Sequence, residues 1–155
     1  MKKILFIVVA ILTFVNTKAQ LVDPVKWTTK IERKSPTNYI LTFNGVIEKE
    51  WHMYSQFTPE GGALPLELIF KNKEGNYVLV DKAKESKTQT VFNDVFGVNE
   101  TYFEKNAKIT QEIQVVNSKV STIEVVLNYQ VCKQVCVNLD KKFQFTIPKN
   151  EIEES

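Results

Sequence analysis

From Thr122 to Ile147 the chain reads TIEVVLNYQVCKQVCVNLDKKFQFTI. Ile123, Val125, Leu127 and Tyr129 alternate with Glu124, Asn128 and Gln130, the period-two pattern of a strand with one buried face. Phe143, Phe145 and Ile147 repeat the alternation on the return, so the stretch predicts strand, tight turn, strand. Both cysteines of the protein, Cys132 and Cys136, stand at that turn.

The same pattern recurs upstream in shorter pieces. Val25 to Lys34 alternates weakly and is charged, as an edge strand would be. Thr37 to Lys49 places Tyr39, Leu41 and Phe43 on one face. Trp51 to Ser55 is aromatic-rich and extended, and Thr58 to Gly62 is a loop by its turn residues. Leu66, Leu68 and Phe70 alternate before a turn at Lys71 to Gly75, and Tyr77 to Val80 opens another strand. The Lys-rich stretch Asp81 to Thr90 reads as a solvated loop or exposed strand. Val91 to Glu104 concentrates aromatics around the turn residues Asn93, Asp94 and Gly97, an aromatic loop that needs something to pack on. Ile109, Ile113 and Val115 mark a further strand, which Asn117-Ser118 separates from the cysteine hairpin.

No stretch carries a 3.6-residue period, and no repeat or internal linker interrupts the chain. Seven to nine short strands separated by turn signals predict an all-β fold, an immunoglobulin-like β-sandwich in a single domain. The two cysteines are neighbours across a turn and cannot pin one sheet to the other in the usual immunoglobulin manner.

The first nineteen residues belong to a different pattern. Lys2-Lys3, the apolar run Ile4 to Val15 and the small-residue site Thr17-Lys18-Ala19 predict a Sec-type signal peptide, with a retained anchor as the alternative. No cysteine lies near the cleavage point to accept a lipid. The expected organisation is therefore a signal peptide over 1–19, a domain over 20–150 and a frayed acidic tail over 151–155. The exported chain keeps roughly 136 of the 155 residues, enough for one core.

Export also changes the charge. The formal net of +2 includes Lys2, Lys3 and Lys18; without them 17 basic side chains face 18 acidic ones, a net of −1. A dispersed, near-neutral surface gives no footprint for nucleic acid or anionic membrane. Composition is otherwise ordinary, 43% hydrophobic and 25% charged, which argues against disorder.

In an oxidising compartment two cysteines are usually paired. As metal ligands, two thiolates and a single histidine make a poor zinc set, and no cofactor motif is present. A hydrolase lacks support too, since one histidine without a Gly-x-Ser-x-Gly elbow assembles no nucleophile. A Cys-x-x-x-Cys bond would close a ring of about five residues, worth about 2 kcal/mol by chain entropy, against roughly 4.7 kcal/mol for a hundred-residue loop. As a staple it stiffens only its own turn. The alternative use is chemical: a partner thiolate attacks one sulfur and the other cysteine departs as the thiol. Lys133, with Lys141 or Lys142, would favour that thiolate modestly. Spacing alone leaves both uses open.

Three segments together resemble the N-terminal domain of DsbD, the disulfide-bond reductase of the bacterial envelope, and the related disulfide bond corrector family. They are Trp51-His52-Met53-Tyr54-Ser55 with Gly61-Gly62-Ala63-Leu64-Pro65; Asn93-Asp94-Val95-Phe96-Gly97 leading into Tyr102-Phe103; and Asn128-Tyr129-Gln130-Val131-Cys132 with Cys136 and Phe143-Gln144-Phe145. They fall in the family's order and span most of the exported chain. Two departures stand beside them: the gap between the cysteines is shorter, and Val137-Asn138-Leu139-Asp140 replaces the proline pair that follows the second cysteine.

The resemblance implies a periplasmic module that relays reducing equivalents between thioredoxin-fold proteins or domains through Cys132 and Cys136. Cys136 corresponds to the cysteine that forms the mixed disulfide and Cys132 to its resolving mate. It also implies an aromatic cap loop, here Asp94, Val95, Phe96 and Gly97, with Phe96 the cap since Val95 stands where the family often has the aromatic. His52, Tyr54 and Tyr129 correspond to a site wall, with His52 able to assist proton transfer to a departing thiolate. DsbD continues into membrane and thioredoxin-like parts, so a separate membrane electron transporter is an expected partner. The competing expectation is an exported, non-enzymatic β-sandwich binding domain that keeps the disulfide as a local clip.

Overall fold

The computed structural model describes residues 22–149, so the expected signal peptide and acidic tail lie outside the described residues. Among the described residues ten strands form two sheets. They are β1 (Val25–Arg33), β2 (Asn38–Ile47), β3 (His52–Tyr54), β4 (Glu67–Phe70) and β5 (Tyr77–Glu85), then β6 (Gln89–Asn93), β7 (Val98–Glu104), β8 (Asn106–Val115), β9 (Thr122–Cys132) and β10 (Cys136–Thr146). One sheet runs β1-β2-β8-β5; the other runs β10-β9-β3-β7-β6, with β4 also paired to β9. All the pairings are antiparallel. The chain is an all-β, immunoglobulin-like sandwich, as its alternation predicts.

The alternating positions supply the core. Leu41 and Phe43 of β2 and Ile109 and Ile113 of β8 are fully buried from one sheet; Met53, Phe103, Ile123, Leu127 and Val131 are fully buried from the other. Across the layer Phe43 meets Phe143 and Phe145 edge-on at 5.4 and 5.2 Å between ring centres, and Trp27 meets Tyr129 at 5.5 Å. Such T-shaped pairs add to the apolar burial that drives the packing.

Of two local features, the first takes the strand form, one of the two expected for it, and the second differs from the expected loop. The stretch Asp81 to Thr90 is mostly strand: β5 continues to Glu85 past an irregularity between Val80 and Lys84. There Asp81 takes φ 59°, and the buried Gln111 amide donates to the Val80 and Asp81 carbonyls. Val91 to Glu104 is a hairpin, β6 and β7, with the turn Asp94 to Gly97 at its tip. With these two strands the described residues hold ten, one more than the seven to nine that the pattern predicts.

The register around β9 sets the geometry of the cysteine end. β3 pairs with β9 at His52↔Cys132 and Met53↔Val131, and β4 takes up the same edge at Glu67↔Asn128. β3 and β4 are thus one line of strand interrupted by a 12-residue excursion, residues 55–66. Its neck is closed where the Leu66 amide donates to the Ser55 carbonyl at 3.3 Å, the form of an Ω-loop. At its base Glu85 of β5 accepts from the Ser55 hydroxyl at 2.5 Å and the Gln56 amide at 3.0 Å.

Candidate functional site: a half-shielded disulfide

Cys132 ends β9 and Cys136 opens β10, and the two are register partners across the turn Lys133-Gln134-Val135. Their Cα atoms are 4.1 Å apart and the sulfurs are bonded. The Lys133 amide donates to the Val135 carbonyl at 3.1 Å, closing the turn. Both strands belong to one sheet, so the bond links nothing between the layers. The two cysteines differ in access. Cys132 is only 4% exposed, whereas Cys136 is exposed.

Period two explains what covers Cys132. Cys132, Gln130 and Asn128 point to the outer face of their sheet, while Val131 and Tyr129 point to the core. His52 and Tyr54 of β3 and Glu100 and Tyr102 of β7 share that outer face, with Tyr54 opposite Tyr102 and His52 opposite Glu104. An outer face would ordinarily be wet. Here the 55–66 excursion folds over it, so Tyr54, Ala63 and Cys132 form a small buried cluster with Tyr102 against it. The Ala63 amide donates to Glu100 Oε1 at 3.4 Å, and the Leu64 amide to Gln130 Oε1 at 2.9 Å.

Polar contacts within this face form a short chain. The Tyr54 hydroxyl donates to Glu100 Oε2 at 3.3 Å, and His52 Nε2 lies 3.1 Å from the same hydroxyl. The His52 ring sits 4.7 Å from the Tyr102 ring and 5.2 Å from that of Tyr54. Burial holds the His52 imidazole below its ordinary 6.5, against an opposing pull from Glu100 and Glu104. Burial, reinforced by Glu100, pushes the Tyr54 phenol up to about 12. Burial also raises Tyr102, with Glu104 and Glu100 adding to it. At neutral pH this outer face therefore carries two neutral phenols and a neutral imidazole.

Tyr129, expected in the wall, stands elsewhere. One residue of offset in a strand reverses the face, so its ring enters the main core and its hydroxyl donates to Asp23 Oδ1 at 3.1 Å. Asp23 also takes Lys141 Nζ at 3.0 Å, which ties this lysine to the start of β1. Lys133 is engaged too, with Glu50 at 2.7 Å.

The turn Asp94 to Gly97 is built by its own side chains. Asn93 Oδ1 accepts from the amides of Val95 and Phe96 at 2.9 and 3.3 Å. The Gly97 amide donates to the Asn93 carbonyl at 2.7 Å, and Gly97 takes φ +69°, which favours glycine. Val95 is 86% and Phe96 54% exposed. Phe96 reaches the excursion: a Cβ added to Gly62 would lie 3.5 Å from Phe96 Cδ2, 3.0 Å from Val98 and 3.1 Å from Glu100 Oε1. The turn thus stands beside the segment that covers Cys132.

Glu100 and the closure of the 55–66 excursion escape a reading of the sequence alone. Glu100 looks like any outward carboxylate on a strand. Its only signal is the shared parity with Tyr102, which lies two residues on and within a segment that the resemblance covers.

Comparison with known proteins agrees with this architecture. The family model described as thiol:disulfide interchange protein DsbD, N-terminal, matches residues 18–148. No curated protein sequence matches the chain. Among solved structures, the N-terminal periplasmic domain of ScsB from Proteus mirabilis superposes with a TM-score of 0.61 at 17% identity, over 81% of this chain. The chain spans 47% of that protein's length. The DsbD N-terminal domain of Neisseria meningitidis, in its reduced form, gives 0.51 at 17% identity over 79% of this chain and 86% of that one. The architecture is shared with both, and the sequence match over almost all of the described residues carries the assignment: the chain belongs to the DsbD N-terminal domain family.

Proposed function

We propose that the protein is an exported, periplasmic thiol–disulfide exchange module that relays reducing equivalents between thioredoxin-fold partners through Cys132 and Cys136. One observation carries the reading: the bond joins adjacent strands of one sheet across a three-residue turn, with one sulfur carrier exposed and the other buried. A structural clip gains little from that placement. An exchange site needs such an asymmetry, since access decides which sulfur is attacked.

The step follows from that difference. A partner thiolate attacks Cys136 Sγ, the Cys132–Cys136 bond breaks, and Cys132 leaves as a thiolate among Tyr54, Ala63 and Tyr102. The product is a mixed disulfide through Cys136. A second partner thiol, or Cys132 itself, resolves it. The Asp94–Gly97 turn and the 55–66 excursion serve as the shield, with Phe96 as the aromatic that a partner displaces. Exposed apolar side chains at Val95, Phe96, Leu64 and Val135 give such a partner an apolar rim to bind.

The test is to trap the intermediate. A Cys132→Ser variant, incubated with an oxidised thioredoxin-fold protein, is expected to accumulate a mixed disulfide through Cys136; a Cys136→Ser variant is not. Absence of any adduct from Cys132→Ser defeats the relay.

A groove of about 590 Å³ between Leu64, Pro65 and Leu66 on one side and Asn128, Asn138 and Asp140 on the other supports a second reading, the exported binding domain. There the Cys132→Ser/Cys136→Ser double variant keeps full activity.

A further inference from the structure

The chain His52–Tyr54–Glu100 has a direction. A carboxylate only accepts hydrogen bonds, so the Tyr54 hydroxyl spends its single proton on Glu100. Its oxygen can then only accept from His52 Nε2. The neutral imidazole carries one proton, and this contact places it on Nε2. Nδ1 is left with the free lone pair.

His52 is also the register partner of Cys132. Residues directly opposite in an antiparallel pair have Cβ atoms about 4.5–5.5 Å apart, and both side chains lie on the outer face of the sheet, where His52 stands against Tyr54 and Tyr102 and Cys132 clusters with the same two rings. We propose that Glu100 is a positioning residue which, through the Tyr54 hydroxyl, holds His52 as the Nε2–H tautomer, so that His52 Nδ1 is the base that takes the proton from the Cys132 thiol. The proposal rests on the relay reading for its biological use, but its chemistry does not need the physiological partner.

The step balances as follows. In the reduced protein Cys136 has attacked a partner disulfide, and the mixed disulfide joins Cys136 to that partner. Nδ1 takes the proton of Cys132 Sγ–H. The resulting thiolate attacks Cys136 Sγ, the Cys132–Cys136 bond forms and the partner's sulfur leaves as thiolate. Two electrons pass from the module to the partner, and the imidazolium returns its proton to solvent or to the departing thiolate. In the reverse direction the imidazolium protonates Cys132 as it leaves.

The groups that face His52 are compatible with this role. Tyr54 and Tyr102 are neutral phenols, Glu100 is engaged by Tyr54 and by the Ala63 amide, and Glu104 accepts from Gln89 Nε2 at 2.7 Å. Glu50 and Lys133, at the ends of the two strands, neutralise one another. The depressed imidazole pKa keeps the base free near neutral pH.

His52 is the only histidine, so nitrogen NMR of untagged, ¹⁵N-histidine-labelled protein reads its tautomer without ambiguity. Above the imidazole titration the reduced protein is expected to show Nε2 protonated and Nδ1 bare. Tyr54→Phe, which keeps the ring, is expected to give a mixture of tautomers; Glu100→Ala should do the same. In rapid-mixing experiments with oxidised glutathione, His52→Gln should leave the first step, attack by Cys136, unchanged. The second step, release of glutathione by Cys132, should slow on the order of tenfold and lose the inflection near the imidazole pKa. A protonated Nδ1 in the unmodified protein overturns the proposal, as does a second step in His52→Gln with an unchanged rate and pH profile. If those results hold but no thioredoxin-fold protein exchanges with the module, the relay fails and the proton assignment stands.

Discussion

At the scale of single residues the outer face that carries Cys132 makes its own predictions. An unfolded chain takes up a proton on His52 near pH 6.5, whereas the folded one, held lower mainly by burial, does so only at lower pH. Between those two values the unfolded state binds more protons, so stability falls as pH drops below about 6.5. His52→Gln removes that contribution. Urea midpoints of the oxidised protein at pH 7 and pH 5 should therefore differ less in the variant than in the unmodified protein, and equal slopes would show that the imidazole is not shielded. Gly62 gives a second test. An added Cβ would press on Val98 at 3.0 Å and Glu100 Oε1 at 3.1 Å, so Gly62→Ala should cost on the order of 1–3 kcal/mol. It should also raise the exchange rate of Cys132 by lifting the excursion, which thiol-alkylation kinetics of the reduced protein would report.

Elements differ in how far the sequence announces them. The long strands β2, β8, β9 and β10 are legible because each has a buried and an exposed face, and alternation is the direct mark of that asymmetry. Tyr39, Leu41 and Phe43 point inward as the pattern requires, and so do Ile123, Val125 and Leu127. What alternation does not contain is the partner across the sheet. Nothing in Trp51 to Ser55 or Leu66 to Phe70 shows that β3 and β4 continue one another along β9, because that is a matter of register with a strand more than fifty residues away. The 55–66 excursion, and with it the burial of Cys132, was legible only as a glycine loop. Tyr129 shows the complementary error: correspondence to a family segment places a residue near the site but does not say which face it takes.

Two further expectations belong to elements. Leu127 is fully buried at the centre of β9, opposite Leu68 and Lys141. Leu127→Ala should cost about 2–5 kcal/mol by denaturant unfolding, at least as much as loss of the disulfide ring. Gly97→Ala, by contrast, strains one left-handed turn residue and should cost about 1–2 kcal/mol. If the Asp94–Gly97 turn shields the cysteines, that substitution should also speed alkylation of the reduced protein; an unchanged rate would remove the turn from the shield.

For the whole molecule the sandwich and the disulfide are separable. The core is assembled from Phe43, Ile109, Ile113, Met53, Phe103 and Val131 across two sheets, and the cysteine bond crosses neither the layer nor any distant pair of strands. The Cys132→Ser/Cys136→Ser double variant should fold cooperatively and lose only about 2 kcal/mol. A fold that stands without its disulfide leaves the bond free for chemistry. The measurement that tests this most directly is the equilibrium reduction potential of the Cys132–Cys136 pair, read by alkylation after exchange with defined dithiol buffers at pH 7. An exchange module should poise above about −300 mV, in the range where thioredoxin-fold proteins operate. A value below about −300 mV would place the bond among inert structural disulfides and contradict the account.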